Sequence, residues 1–254
     1  MIKGIDVSFA QGPIDWSKVD VDFAIIRAGY GREISQKDRR FEKNYAGCKS
    51  NNIPVGCYWY SYALTPEEAK KEAAVCLEVI KGKTFEYPIY FDIEESAQTK
   101  LSKSQISEIC KSFCDVLEAA GYWVGIYSYA SFLSSKLTDA VKKRYAIWVA
   151  HTGVSEPNYK NDYGIWQYSH SGKVTGITGN VDLDYCYVDY PIYIKTGGLN
   201  NFKAPSGTPA KSITTIAKEV IQGKWGNGTE RKNKLTQAGY DYNAVQAVVN
   251  DMLK

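Results

Sequence analysis

Two carboxylates lie two residues apart, Asp92 and Glu94, at the end of the segment PIYFDIEES (residues 88–96). In a β-strand, residues i and i+2 point to the same face. Two residue steps put their Cα atoms ~6.6 Å apart, a separation at which two carboxyl groups can share one substrate. The residues before them are apolar or aromatic, so the pair ends a strand that reads as buried. Keeping charge there is costly, because each carboxylate wants water. That cost points to acid–base chemistry rather than to structure.

The elements that must position such a pair follow from the rest of the chain. Residues 3–8 (KGIDVS) form a short strand with Asp6 near its end, and GPIDWSKV reads as a helical turn. Residues 22–30 (DFAIIRAGY) are an apolar run interrupted by Arg27, as expected of a parallel strand buried on both faces. A helix over 39–52 follows. The unit then repeats: strand 54–63 with a helix opening at Thr65-Pro66, strand 88–94 with a helix over 102–120 stopped by Gly121, and strand 123–129 with a helix over roughly 131–144. Strands at 145–151, 163–169 and 180–188 have Gly-, Asn- and Ser-rich connections without a helical pattern. Eight strands, five with helical connections and three without, predict an α/β barrel whose last strands could be partly antiparallel. Barrel sites form at the C-terminal ends of the strands, where strands one, four and eight would bring Asp6, Asp92, Glu94 and Asp182 to one mouth.

Residues 193–210 read as a linker by their Gly, Pro, Ser and Asn content, which divides the chain into 1–192 and 211–254. Apolar residues at helical spacing in the tail, with a middle helix ending at Gly239, predict a three-helix bundle near the lower size limit for a self-standing core. Trp225 and Tyr240 are its expected large anchors. Net charge is +3, and the excess lies wholly in 211–254, which has seven basic and four acidic residues. This is too weak for a nucleic-acid partner but suits approach to an anionic surface. No stretch is long enough to span a membrane, and the first residues run into a strand pattern rather than a signal peptide. The six cysteines lack metal-ligand or disulfide spacing and are expected to be buried free thiols.

Several segments in order, GIDVSFAQG, AIIRAGYG, YFDIEES, GIYSY, IWQYS and GNVDLDY, resemble the family 25 glycoside hydrolases, over residues 1–190. The tail AKEVIQGKWGNGTERKNKLTQAGYDYNAVQAVVNDML resembles one cell-wall-binding repeat of the CW-seven type. The first resemblance implies an irregular (β/α)5β3 TIM-like barrel that cleaves the β-1,4 bond between N-acetylmuramic acid and N-acetylglucosamine. It implies Glu94 as general acid with Asp92 as companion, and Asp6 and Asp182 completing an acidic cluster. Neighbouring carboxylates would raise the pKa of the acid by like-charge repulsion. Retention could proceed through the substrate's own 2-acetamido group, with Asp92 orienting it, or through Asp182 as a covalent nucleophile. Asp6 is open between catalyst and tuning partner, and Asp184 competes with Asp182 for the place on the last strand.

Arg27 is expected to pair with a carboxylate of the cluster, because a buried guanidinium without one is costly. Tyr60, Tyr62, Tyr127, Trp148 and Trp166 lie at strand ends as sugar platforms or as core, and Gln167 could bond an N-acetyl group. Glu95 alternates to the other face, solvated or salt-bridged, and His151 and His170 read as loop histidines. In the tail, Arg231 and Lys232 either meet peptide carboxylates or form a solvated face, and Trp225 could contact ligand. No metal or cofactor is expected, and the sequence leaves the oligomeric state open. The combined expectation is a peptidoglycan hydrolase of phage endolysin type, made in the host cytoplasm and acting on the wall after release. The rivals are a chitinase-like hydrolase and a non-catalytic wall-binding protein.

Overall fold

An apolar run buried on both faces sets eight strands side by side. The computed structural model describes residues 2–204, 211–238 and 240–253. Strands β1 (Ile2–Val7), β2 (Phe23–Tyr30), β3 (Val55–Tyr60), β4 (Ile89–Asp92), β5 (Val124–Tyr129), β6 (Ala146–Ala150), β7 (Ile165–Gly172) and β8 (Val181–Cys186) close into one barrel in chain order. Neighbours from β1 to β7 are parallel, while β8 runs antiparallel to both β7 and β1. The α/β barrel read from the sequence is thus borne out, and the antiparallel strand is the last one.

Helix α1 (Phe41–Ser50) joins β2 to β3, α2 (Pro66–Ile80) joins β3 to β4, and α3 (Lys103–Ala119) joins β4 to β5. Their starts follow from sequence: Thr65 Oγ1 accepts from the Glu68 N–H ahead of Pro66, and Ser102 with Gln105 forms a capping box. The helix expected over 131–144 is two, α4 (Ala130–Lys136) and α5 (Asp139–Arg144). Leu137 and Thr138 are extended between them; Leu137 is buried, and the Thr138 N–H donates to Ser107 Oγ at 2.9 Å. Packing against α3 breaks what the periodicity left continuous. The β6–β7 connection contains no α-helix.

Strand alternation divides the core into two layers. On β2, Ala24 and Ile26 face the helices, while Phe23 and Ile25 fill the barrel. On β4, Phe91 stacks on Phe113 of α3 with ring centroids 4.3 Å apart, while Tyr90 turns inward against Trp148. The same parity sends Asp6, Arg27, Tyr58, Asp92, Tyr127 and Gln167 towards the interior. The six cysteines are all buried free thiols.

Part of the expected linker belongs to the barrel. Helix α6 (Tyr190–Thr196) buries Ile194, and Asn200 is fully buried. Asn200 Nδ2 donates to the carbonyls of Phe85 and Tyr87, and its Oδ1 accepts from the Trp123 N–H, so it ties this segment to the chain entering β4 and β5. Residues 205–210 of that stretch, and the helix stop expected at Gly239, lie outside the described residues.

The chain divides into two compact units, residues 2–195 with 199–202, and residues 196–198 with 203 onwards. The second unit holds helices α7 (Ile213–Ile221), α8 (Gly228–Gln237) and α9 (Tyr242–Met252). Ile216, Val220, Leu235, Val245 and Val249 form its core, and Trp225 meets Tyr240 edge to face at 5.6 Å. Among the described residues no helix is long and apolar enough to cross a membrane.

Candidate active site

Asp92 is the last residue of β4, and Glu94 sits just beyond the strand's hydrogen-bonded part. Neighbouring strands hold this extension. The Ile93 N–H donates to the Tyr127 carbonyl (3.1 Å), Ser128 Oγ donates to the Ile93 carbonyl (2.6 Å), and the Ser61 N–H donates to the Asp92 carbonyl (2.9 Å). Both carboxyl groups therefore reach one cleft of about 860 Å³ at the C-terminal mouth of the barrel. Asp6 enters it from β1 and Asp182 from β8, where the two are directly paired across the sheet. Asp92 Oδ1 and Glu94 Oε2 are buried and have no hydrogen-bond partner among the described residues.

Along the cleft floor runs a chain of polar groups. Tyr127 OH donates to Gln167 Oε1 (2.9 Å), and Gln167 Nε2 donates to Asp6 Oδ2 (2.7 Å). Asp184 lies close enough to Asp6 to repel it, and its Oδ1 accepts from Trp148 Nε1 at 2.8 Å. Two buried carboxyls side by side repel each other when charged, which disfavours ionising both. Burial, then the neighbouring acids, push Asp6 well above the usual carboxylate range. Asp184 is also pushed well above it, mainly by burial, against the pull of the Trp148 N–H. Both candidates on β8 are thus engaged: Asp182 faces the cleft, and the fully buried Asp184 lies below it.

Burial, then Glu94, raises Asp92 well above its ordinary value, while Arg27 pulls it back. Glu94 is raised by burial and by Asp182 and Glu95, against a hydrogen bond from Tyr129 that favours its charged form. Asp182 is raised by burial and eased by His170. The cleft is thus built to keep a proton on the Asp92–Glu94 pair nearer neutrality than free carboxyls would.

Several expected side chains take other places. Arg27 lines the cleft, but its Nε donates to Asp38 Oδ2 (2.8 Å), outside the acidic cluster. Asp38 is buried and also accepts from the backbone N–H of Phe9 and Arg40, so it anchors the guanidinium from behind. Tyr60, Tyr127 and Trp148 line the cleft; Trp166 does not. Trp166 precedes the inward Gln167 and so faces the outer layer, packing on Tyr168 and Tyr185 and donating to the His151 carbonyl. Tyr62 lies past the end of β3, partly exposed against Tyr30 and Tyr60, and is not part of the cleft lining. Gln167 has its amide engaged on both sides by Tyr127 and Asp6, which makes it a brace for Asp6. Glu95 is half-buried and forms no salt bridge among the described residues: it accepts from Tyr60 OH (3.0 Å) and caps the following turn.

The cleft also includes Tyr58, Tyr129, His151, Asn158 and His170. Tyr58 and Tyr129 share strand parity with Tyr60 and Tyr127, a signal present in the sequence. The histidines carried no such signal, because the long β6–β7 connection and the outer part of β7 place them. The Asn158 N–H donates to His151 Nδ1 (3.0 Å), which leaves the proton on Nε2.

Over residues 5–177 the chain matches the family Glycosyl hydrolases family 25, and over 214–253 the CW_7 repeat. The chain belongs to glycosyl hydrolase family 25. It is 33% identical to the autolytic lysozyme of Clostridium acetobutylicum over 186 residues, 72% of this chain and 55% of that protein. It is 30% identical to the lysozyme of Streptococcus phage Cp-7 over 214 residues, 80% of this chain and 57% of that one. A solved structure of the modular autolysin LytC from Streptococcus pneumoniae, in complex with a synthetic peptidoglycan ligand, aligns with a TM-score of 0.66 and 31% identity. The alignment covers 73% of this chain and 46% of LytC. The chain spans about half the length of the curated relatives it matches.

In the CW_7 unit, a hollow of about 700 Å³ is lined by Trp225 with Lys211, Glu219, Lys224 and Lys234. Arg231 is not part of it. Its guanidinium is spent internally on the Gly226 carbonyl, Asn227 Oδ1 and Gln246 Oε1. Lys232 is exposed, with its ammonium 5.9 Å from the centre of the Tyr242 ring.

Proposed function

We propose that this family 25 protein is a peptidoglycan hydrolase, a muramidase that cleaves the β-1,4 bond between N-acetylmuramic acid and N-acetylglucosamine. The observation that carries the reading is the pairing of Asp92 and Glu94 on one wall of a cleft, each with a buried, unpartnered oxygen. Glu94 gives its proton to the glycosidic oxygen as that bond breaks. The carbonyl oxygen of the substrate's 2-acetamido group attacks the anomeric carbon from the opposite face. Asp92 accepts from the acetamido N–H and offsets the positive charge of the cyclic oxazolinium. Glu94, now a carboxylate, takes a proton from water as that water opens the ring, and the configuration is retained. Asp6 and Asp182 keep the wall acidic and favour charge build-up at the anomeric carbon.

The CW_7 unit, residues 211–254, tethers the barrel unit to the wall and raises its local concentration there without adding to the chemistry. The similarity to a phage lysozyme over 80% of this chain supports an endolysin role. In that role the protein acts on the wall after release from the host cytoplasm, with peptidoglycan as its partner.

The competing mechanism makes Asp182 a covalent nucleophile, and its position across the cleft from Glu94's strand keeps it in contention. Mass spectrometry of protein quenched during turnover decides between them. No adduct on Asp182 is expected, and a glycosyl group trapped there would overturn acetamido assistance.

A further inference from the structure

A second groove, of about 850 Å³, lies at the opposite end of the barrel. It opens where strands β5, β6 and β7 begin, at Val124, Ala146 and Gly164, whereas the cleft lies where they end. Along β5 alone, Val124 and Tyr129 are five residue steps apart, about 16 Å. The β6–β7 connection, which has no α-helix, supplies residues 160–164 to the groove's lining. Gly164 forms part of its lining, and a Cβ there would fall 1.9 Å from the Tyr190 hydroxyl, so the chain at this point is fitted closely to α6.

The lining combines rings and cations. Trp123 and Tyr163 contribute aromatic surface, while Tyr145 is buried with its hydroxyl donated to Asp115. The Trp123 ring stands against Tyr190 at 5.9 Å, and its indole N–H has no protein acceptor among the described residues. Lys143 and Lys160 are exposed and form no ion pair among the described residues, while Lys142 pairs with Asp139. The acids on the groove are Asp162 and Glu118, and Arg144 neutralises Glu118. A ring with a polar edge suits the apolar face of a sugar, and unpaired lysines suit carboxylates.

We propose that this groove is a second glycan site. It takes a saccharide strand that bears carboxylates, with the rings on the sugar faces and Lys143 and Lys160 on the acidic substituents. The occupant rests on the reading that peptidoglycan is the substrate, because its stem peptides supply such carboxylates. An acidic cleft and a basic groove on one barrel then bind different stretches of wall, and the groove holds the protein in place between cleavages.

The test uses the full-length chain carrying Glu94→Gln, so that ligand survives. Hydrogen exchange is followed by mass spectrometry with a soluble fragment of two disaccharide-peptide units, with neutral N-acetylglucosamine tetramer, and with a glycerol-phosphate polymer. Exchange in 142–146 and 160–164 is expected to slow with the disaccharide-peptide fragment and to slow less with the neutral tetramer. In the K143E/K160E variant, about tenfold more fragment should be needed for the same protection at low salt. Protection at 127–131, on the cleft, should stay unchanged. Protection confined to the cleft and the tail would overturn the proposal. Stronger protection of 160–164 by the phosphate polymer would overturn the carboxylate assignment. Hydrolysis is scored separately: with Glu94 restored, K143E/K160E should turn over a short soluble substrate like the parent. A parent that releases no reducing ends would instead count against the muramidase reading.

Discussion

At one end of the barrel, Asp6, Asp92, Glu94 and Asp182 surround a cleft whose lining guanidinium, Arg27, is already paired with Asp38. At the other end, the exposed Lys143 and Lys160 share a groove with the partly exposed rings of Trp123 and Tyr163. The same strands serve both. The acids are buried, so their pKa values rise and the set retains protons it can deliver. The lysines are exposed on the surface, where a flexible ammonium can meet a ligand's carboxylates. Burial, more than residue type, separates the proposed reactive end from the proposed adhesive one.

If that contrast is right, substitutions at the acidic end should alter rate, and those behind it should alter stability. Glu94→Gln should lower turnover of wall fragments by about 10²–10⁴-fold while leaving the melting temperature close to the parent's. Clearing of purified walls at an equal rate would remove Glu94 from the role of acid. Asp38→Ala should cost about 3 kcal/mol in urea unfolding, because it leaves the Arg27 charge half-buried without its partner. An unchanged midpoint would mean that Arg27 finds a cleft acid instead, which would redraw the cluster. Tyr129→Phe should act through pH. The tyrosine holds the pKa of Glu94 down, so its loss raises that pKa, and the alkaline fall in kcat/KM should move to higher pH. A profile that does not move would place the relevant proton elsewhere in the cluster. Trp166→Phe should cost only about 1 kcal/mol of stability, with kcat and KM unchanged. A rise in KM would return Trp166 to the cleft.

Trp166 also shows where the sequence was read too generously. Adjacent residues of one strand cannot both face the interior, so Gln167 and Trp166 could not both line the site, and the network from Asp6 to Gln167 decides which does. Parity alone would have added Tyr58 and Tyr129. The acids were legible because four carboxylates at the ends of apolar strands have no cheap structural explanation. Asp184 was legible only as a competitor to Asp182, since strand spacing cannot tell a residue at the floor from one at the rim. The partner of Arg27 was hidden because Asp38 lies in the irregular chain before α1, where no periodicity announces a contact. The break between α4 and α5 and the anchoring of 193–202 by Asn200 are likewise tertiary, set by single hydrogen bonds to distant elements.

The central claim is that the acidic mouth cuts on the reducing side of muramic acid. Mass spectrometry of the soluble muropeptides released from purified walls, after borohydride reduction, tests it most directly. The account predicts that each new reduced end is a muramitol, absent in the Glu94→Gln digest; new ends on glucosamine, or equal release by both proteins, would contradict it.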